Sequence, residues 1–154
     1  YRQTAWGLMK TLKCQLAEAQ KFLSSHKERF PGVETYCKRM IDFGLKNGYV
    51  ETLSGRRRYL TLDDTKQQHY ESQCVNTPIQ GGCADIIKIA MVNIYHKHGY
   101  VPILQVHDEL LFDCPIAEKE HLVTKVTYEM ENAVKLSVPL KVKVSIGNNW
   151  GELK

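Results

Sequence analysis

Hydrophobic residues in the first third of the chain recur at the spacing of amphipathic helices. The clearest stripe runs from Val33 to Gly44, with apolar side chains three or four positions apart. Residues that commonly end helices precede this stripe at Phe30-Pro31-Gly32 and follow it at Asn47-Gly48. This part of the chain is therefore predicted to form three helices and then a strand, over residues 5–13, 16–29, 33–47 and 49–53.

Helical and alternating patterns both occur in the second half. The apolar segments 103–106 and 110–112 flank His107-Asp108-Glu109, which predicts a hairpin. Apolar and polar residues alternate over 140–146, which predicts a half-buried strand. A polar connection and two further helices are predicted at 61–69, 77–97 and 117–136. The chain is thus predicted to be α+β, with packed helices and a small antiparallel sheet.

Length and composition limit the class of protein. The chain has 154 residues, of which 43% are hydrophobic and 25% charged, ordinary values for a folded protein. It has no long apolar run and no signal-peptide pattern, so we expect a chain that is neither secreted nor inserted in a membrane. Because it starts at Tyr1 rather than at an initiator Met, we also expect a fragment or a processed chain. Its five cysteines include no CxxC pair, which argues against a zinc knuckle or a disulfide framework and favours a reducing cytosol.

Charge differs between the two halves. Residues 1–70 contain 13 Lys and Arg against 7 Asp and Glu, a net of +6. Residues 71–154 contain 8 against 10, a net of −2. A basic half joined to a mildly acidic half suits a polyanionic partner near a cation-binding carboxylate site.

The acidic hairpin is the first candidate site. Asp108 and Glu109 lie between apolar strands, where carboxylates are costly unless they face water or a cation. A solvated turn is one interpretation, although the usual hairpin glycine is absent. The other is a Mg²⁺ site for phosphoryl transfer, because Mg²⁺ binds one or two carboxylates together with substrate phosphates.

Amide and guanidinium groups form two further candidates. Asn76 and Gln80 are four residues apart and share a helix face, where they either cap the helix or meet water, or contact a DNA minor groove. Base pairs present similar acceptors in that groove, so such contacts would check the shape of a pair without reading sequence. Arg56, Arg57 and Arg58 follow a strand and form either a solvated basic turn or a phosphate-binding cluster.

Three ordered strings resemble the A-family DNA polymerases of the bacterial DNA polymerase I type. They are GYVETLSGRRRYL at 48–60, NTPIQGGCADIIK at 76–88 and LQVHDEL at 104–110. The chain ending, with Val138-Pro139-Leu140 and Asn149-Trp150-Gly151, is also similar to bacterial members. The resemblance covers essentially the whole chain and implies the end of a fingers subdomain over 1–70 and part of a palm subdomain over 71–154.

The resemblance also implies roles for individual residues. Asp108 matches the metal-binding catalytic Asp of the palm, with Glu109 beside it and His107 near the primer terminus. Asn76 and Gln80 match amides that contact template and primer, and the adjacent AWGL string places Tyr1 at the nucleotide-binding helix of the fingers.

Other features depart from the family pattern. Arg2 follows Tyr1 where Gly is usual, Ser72 stands where an Arg is usual, and the 61–70 connection looks shorter. The family motif with the second metal-binding Asp lies upstream of this chain. The resemblance therefore implies two Mg²⁺ ions shared with a carboxylate outside this chain, and the missing N-terminal polymerase portion as a partner.

The expected function is DNA-directed DNA synthesis from deoxynucleoside triphosphates on primer–template DNA, in replication or repair, by an enzyme of which this chain is an inactive part. One alternative is a noncatalytic or split polymerase fragment that binds nucleic acid with a separate N-terminal piece. Another is a metal nuclease, for which Asp85 and Asp113 are weak candidates. We expect a cytoplasmic, nucleoid-associated location in a bacterium or phage, or an organellar one.

Overall fold

The computed structural model describes residues 4–61 and 67–153, and its architecture confirms the predicted α+β class. Two antiparallel sheets of two strands each, β1–β2 and β3–β4, lie among the helices of these residues. The helices are α1 (Ala5–Leu12), α2 (Leu16–Arg29), α3 (Pro31–Asn47), α4 (Gln67–His98) and α5 (Lys119–Glu131). The strands are β1 (Tyr49–Glu51), β2 (Arg57–Tyr59), β3 (Leu104–Val106) and β4 (Glu109–Leu111).

Local signals set the ends of the first three helices. The Thr4 side chain accepts a backbone hydrogen bond of 3.1 Å from the first turn of α1. At the start of α2 the Gln15 N–H donates to the Glu18 carboxylate over 3.0 Å. Gly48, with φ +71°, ends α3, as expected for a residue without a Cβ. All three predicted helices are confirmed to within two residues.

The first compact unit, up to Gly82, has a core between α3, β1 and the beginning of α4. Val50, Tyr70 and Cys74 are buried there. A Cβ on Gly44 would lie only 2.5 Å from the Cys74 Sγ, so a glycine is needed for the two helices to approach closely. Tyr36 of α3 also donates a 3.0 Å hydrogen bond to a backbone carbonyl of α4. The beginning of α4 is therefore held firmly.

The second compact unit contains the rest of α4, the β3–β4 hairpin and α5. Ile94 of α4 and Leu122 and Val126 of α5 form its buried centre. Leu110 and Phe112 pack against that centre from the hairpin side. Burial of these side chains anchors the base of the hairpin and leaves its tip in solvent.

Helix α4 begins at Gln67, ten residues before the predicted start at Thr77. Residues 67–69 of the predicted polar connection are helical, and 62–66 lie outside the described residues. Pro78 lies inside the helix, although proline is more common in a first turn. Packing of Tyr70 and Cys74 in the core outweighs the polar composition of this segment.

Two further predictions are corrected. Arg57–Tyr59 form strand β2 paired with β1, so the interpretation of this segment as a solvated basic turn is wrong. Residues 140–146, predicted as a strand, pair with no strand among the described residues. There the Val142 N–H donates to the Glu131 carboxylate over 3.1 Å. Alternation specifies two faces of a segment, but a strand also needs a hydrogen-bonded neighbour.

Among the described residues, no helix combines the length and the apolar character required to cross a bilayer.

Candidate active-site hairpin and nucleic-acid interface

The β3–β4 hairpin has a two-residue loop, His107-Asp108, with Val106 paired to Glu109. The Ile103 N–H donates to the Leu111 carbonyl over 2.8 Å, which extends the strand ladder. All three polar residues of the tip are exposed. The hairpin therefore presents an imidazole and two carboxylates to solvent on a short, hydrogen-bonded support.

His107 has a left-handed backbone with φ +55°. Asp108, the second loop residue, does not share this positive φ. Two-residue hairpin loops with a positive φ at the first position alone normally have Gly there, since a side chain in that conformation is strained. The Gln105 amide donates to the His107 carbonyl over 3.2 Å and supports this conformation. A strained non-glycine residue at a loop tip is typical of functional sites.

Asp108 and Glu109 fit part of a magnesium site. Mg²⁺ keeps several waters and binds through one or two carboxylates plus substrate phosphates. In residues 4–61 and 67–153 no three His, Cys, Asp or Glu side chains lie close enough to hold a metal ion together. The hairpin carboxylates therefore suit a site completed by other oxygen ligands, rather than a closed protein cage.

Asn76 and Gln80 lie in the interior of α4, four residues apart on one face. Because the helix begins at Gln67, the interpretation of these amides as helix caps is wrong. Gln80 is exposed and Asn76 is half-buried. The neighbouring face, with Thr77 and Gly81, turns toward the β1–β2 hairpin.

The three arginines do not all point the same way: Arg57 contacts Glu51, whereas Arg56 and Arg58 contact α4. Arg57 forms a 2.8 Å ion pair with Glu51 and lies 4.4 Å over the Tyr49 ring. The hydrogen bond to Glu51 is the main reason that the pKa of Arg57 is raised above its usual value. Alternation along β2 turns Arg58 to the other side, where it donates to the Thr77 hydroxyl over 3.2 Å.

Arg56 also contacts α4, through a 3.3 Å hydrogen bond from its guanidinium to the Gly81 carbonyl. A Cβ on Gly81 would lie 2.6 Å from the Thr52 side chain, so the close approach of this loop needs glycine. Arg56 and Arg58 thus contact the residues that directly follow Gln80 and Asn76. Sequence analysis missed this contact, for which the Gly81-Gly82 pair inside a helix was the available signal.

Sequence analysis also missed a buried carboxylate in the second unit. Glu129 is 3% exposed, forms an ion pair with Lys97 over 2.8 Å and lies 3.1 Å from the His98 imidazole Nε2. The hydrogen bond from Lys97 is the main cause that lowers the pKa of Glu129; burial opposes it and the His98 contact adds to it. These contacts join the end of α4 to α5 within the second compact unit.

Two predictions are not tested by these residues. Tyr1, the predicted nucleotide contact, lies outside the described residues. The boundary between fingers and palm at residue 70 stays a prediction, since the division at Gly82 separates compact units by packing alone.

Comparison with known proteins gives a consistent result. Residues 1–152 match DNA polymerase family A, and the chain belongs to this family. It is 40% identical to DNA polymerase I of Caldicellulosiruptor bescii and 39% identical to that of Treponema pallidum. The alignments cover 100% and 99% of this chain but only 19% and 16% of those proteins.

A solved structure is also similar to the chain. It is the POL domain of Pol1 from M. smegmatis in complex with DNA primer-template and dNTP. The TM-score is 0.89 with 38% identity, over 97% of this chain and 28% of that one. The predicted resemblance to bacterial DNA polymerase I is therefore confirmed.

Proposed function

We propose that the protein containing this chain is a DNA-directed DNA polymerase that extends a primer 3′ end with deoxynucleoside triphosphates, in DNA replication or repair. The observation that carries the proposal is the match to DNA polymerase family A over residues 1–152. The M. smegmatis relative, solved with primer-template and dNTP, supports the choice of substrates. The proposed location is the nucleoid of a bacterial or phage-infected cell, or an organelle.

In this proposal the hairpin tip is part of the catalytic centre. Asp108 is the direct Mg²⁺ ligand, and Glu109 adjusts the site through water. The chemistry supplied by two bound Mg²⁺ ions is activation of the primer hydroxyl and charge neutralisation on the reacting phosphate and the departing pyrophosphate. Asp108 is exposed at a hydrogen-bonded turn, so its carboxylate is accessible to a phosphate-bound ion.

The remaining site residues bind the substrates. Asn76 and Gln80 donate to minor-groove acceptors near the primer terminus, where His107 also lies. Tyr1 contacts the incoming nucleotide. Arg56, Arg57 and Arg58 contribute positive charge beside the DNA path, and Arg56 and Arg58 also hold α4 by their contacts with Gly81 and Thr77.

Substitution of Asp108 in the full-length protein tests the proposal. Asp108→Asn should lower primer extension by at least about a hundredfold, because charge stabilisation of this kind acts in the transition state. Duplex affinity should change little, since it comes mainly from phosphate contacts elsewhere. Single-turnover extension and equilibrium binding of the same primer–template measure the two quantities.

The matched control is Asp113→Asn, an exposed carboxylate two residues after β4. It should extend primers at the wild-type rate. Equal rates for Asp108→Asn and the wild-type protein would remove Asp108 from the catalytic centre.

The alternative function is a split or noncatalytic piece that binds nucleic acid with a separate N-terminal chain. That alternative has a distinct outcome in the same experiment. The protein would bind primer–template DNA, yet neither the wild-type protein nor the variants would extend the primer without the second chain.

A further inference from the structure

Four polar side chains form a row along the first half of α4. They are spaced four, three and four residues apart, which puts them on one face of the helix. Asn76 and Gln80 make up one end of the row. Its other end is His69 and Gln73, to which neither the sequence motifs nor the proposed function assigns a role.

The neighbouring face of the same helix segment is fixed in the core. Tyr70, Cys74 and Thr77 are buried, at 5%, 0% and 7% exposure. The row itself is open to solvent, with His69 and Gln80 exposed and the residues between them half-buried. Polar groups at His69 and Gln73 thus face the same side as the amides proposed to contact DNA.

Gln73 is held in place by His69. The amide nitrogen of Gln73 lies 2.6 Å from the imidazole Nε2 of His69, one helical turn earlier. A primary amide has two N–H donors and a carbonyl acceptor, so one contact with the ring still leaves hydrogen-bonding groups for a ligand. An oriented side chain also loses less conformational entropy on binding.

Position 72, next to Gln73, departs from the family pattern. The resemblance places an Arg at position 72, whereas the Ser72 hydroxyl donates back to the Gln68 carbonyl over 2.8 Å. We propose that Gln73 is a further minor-groove contact to the primer–template duplex and that His69 is the positioning residue that orients its amide. This inference rests on the proposed polymerase function.

The spacing of Gln73 and Gln80 along α4 predicts which base pair Gln73 would contact. Gln73 and Gln80 are seven residues apart, which is about 10 Å at roughly 1.5 Å per residue. Base pairs are stacked about 3.4 Å apart, so with α4 lying along the minor groove the two side chains reach pairs about three steps from each other. Minor-groove acceptors are similar in all four base pairs, so Gln73 should sense a distorted pair rather than a particular sequence.

The experiment is primer extension by the full-length protein with one mismatch moved stepwise from the primer terminus into the duplex. Gln73→Met keeps the side-chain length and removes its hydrogen-bonding groups. Gln73→Met should reduce the loss of extension rate caused by a mismatch by roughly three- to tenfold at one base pair inside the duplex. That base pair should lie about three steps from the one most affected by Gln80→Met. Gln73→Ala repeats the test if the first variant folds poorly, as measured by its thermal midpoint.

His69→Ala should reduce the penalty at the same pair. In the double variant with Gln73→Met it should cause no additional loss, which a merely structural residue would not show. Gln68→Met is the matched control, an exposed glutamine on the same helix outside the row, and should match the wild-type profile.

The possible failures are distinguishable. If Gln80→Met alters the profile and Gln73→Met matches Gln68→Met at every position, the inference is overturned while the polymerase function stands. If the wild-type protein does not extend a matched primer, the proposed function itself fails.

Discussion

His107 carries the most informative single-residue conformation of the candidate site. Its φ of +55° costs an ordinary residue about 1 kcal/mol, whereas glycine adopts it freely. His107→Gly should therefore stabilise the hairpin, and His107→Ala should not, although both remove the imidazole. If the imidazole acts near the primer terminus, both variants of the full-length protein should lose extension rate to a similar degree.

Hydrogen exchange of the β3–β4 amides measures hairpin stability, and single-turnover extension measures activity. A glycine variant with the activity of the wild-type protein would mean that His107 serves only the turn. Activity that follows hairpin stability across the two variants would likewise contradict a role for the ring.

At the residue scale the sequence predicted the position of Asp108 on the chain's hairpin, but not the directions of the three arginine side chains. It indicated Asp108 at a hairpin tip, and the structure has it there. It also treated Arg56, Arg57 and Arg58 as one cluster, because three adjacent cations look alike in sequence. Strand pairing of Arg57 with Glu51 sets their directions, and that pairing is a long-range feature that adjacent letters do not reveal.

At the element scale, periodicity predicted the helices well and their partners poorly. The stripe from Val33 to Gly44 gave α3, because one helix face meets the core directly. The beginning of α4 was missed because its polar composition resembles a loop, although Tyr70 and Cys74 pack in the core. The unpaired 140–146 segment shows the same limit, because alternation cannot supply a neighbouring strand.

The contact between α4 and α5 leads to a pH-dependent prediction. The pKa of Glu129 is lowered in the folded chain from an ordinary value of 4.5, chiefly by the hydrogen bond from Lys97. The ionised Glu129 carboxylate therefore contributes its full stabilisation at pH values above the unfolded-state pKa of 4.5. This stabilisation is lost as the pH falls through the lower pKa of the folded state. Glu129→Gln should cost roughly 1–2 kcal/mol at pH 7, as Lys97 is half exposed, and should weaken the pH dependence.

Hydrogen-exchange protection of α5 in the full-length protein, corrected for the intrinsic rate at each pH, measures this effect. Protection in Glu129→Gln should be about 5–30-fold lower at neutral pH and closer to wild type in acid. Glu120→Gln, an exposed carboxylate of the same helix, is the matched control. An unchanged α5 at neutral pH would show that the buried pair contributes no net stability.

At the scale of the whole molecule, the second compact unit exposes several aliphatic side chains on strand β3 and in the segment 140–146. Leu104 and Val106 of β3 are 43% and 37% exposed, and Val144 and Ile146 are 43% and 58% exposed. Unpaired strand edges and exposed aliphatic side chains favour association with a further chain segment. The relatives, several times longer than this chain, contain ample sequence to supply one.

The 154-residue chain alone should therefore not extend a primer, and it should self-associate or unfold readily. Its hairpin offers two carboxylates, and the described residues hold no larger ligand cluster, so a two-metal reaction needs oxygen ligands from elsewhere. Addition of the remaining polymerase as a separate chain should restore extension and reduce self-association, because the same apolar surfaces would then be covered. Primer extension by each chain alone and by the mixture, together with light scattering of this one, tests both expectations. Robust extension by this chain alone would require that its own side chains complete the metal site, and the proposed division of the catalytic centre would then be wrong.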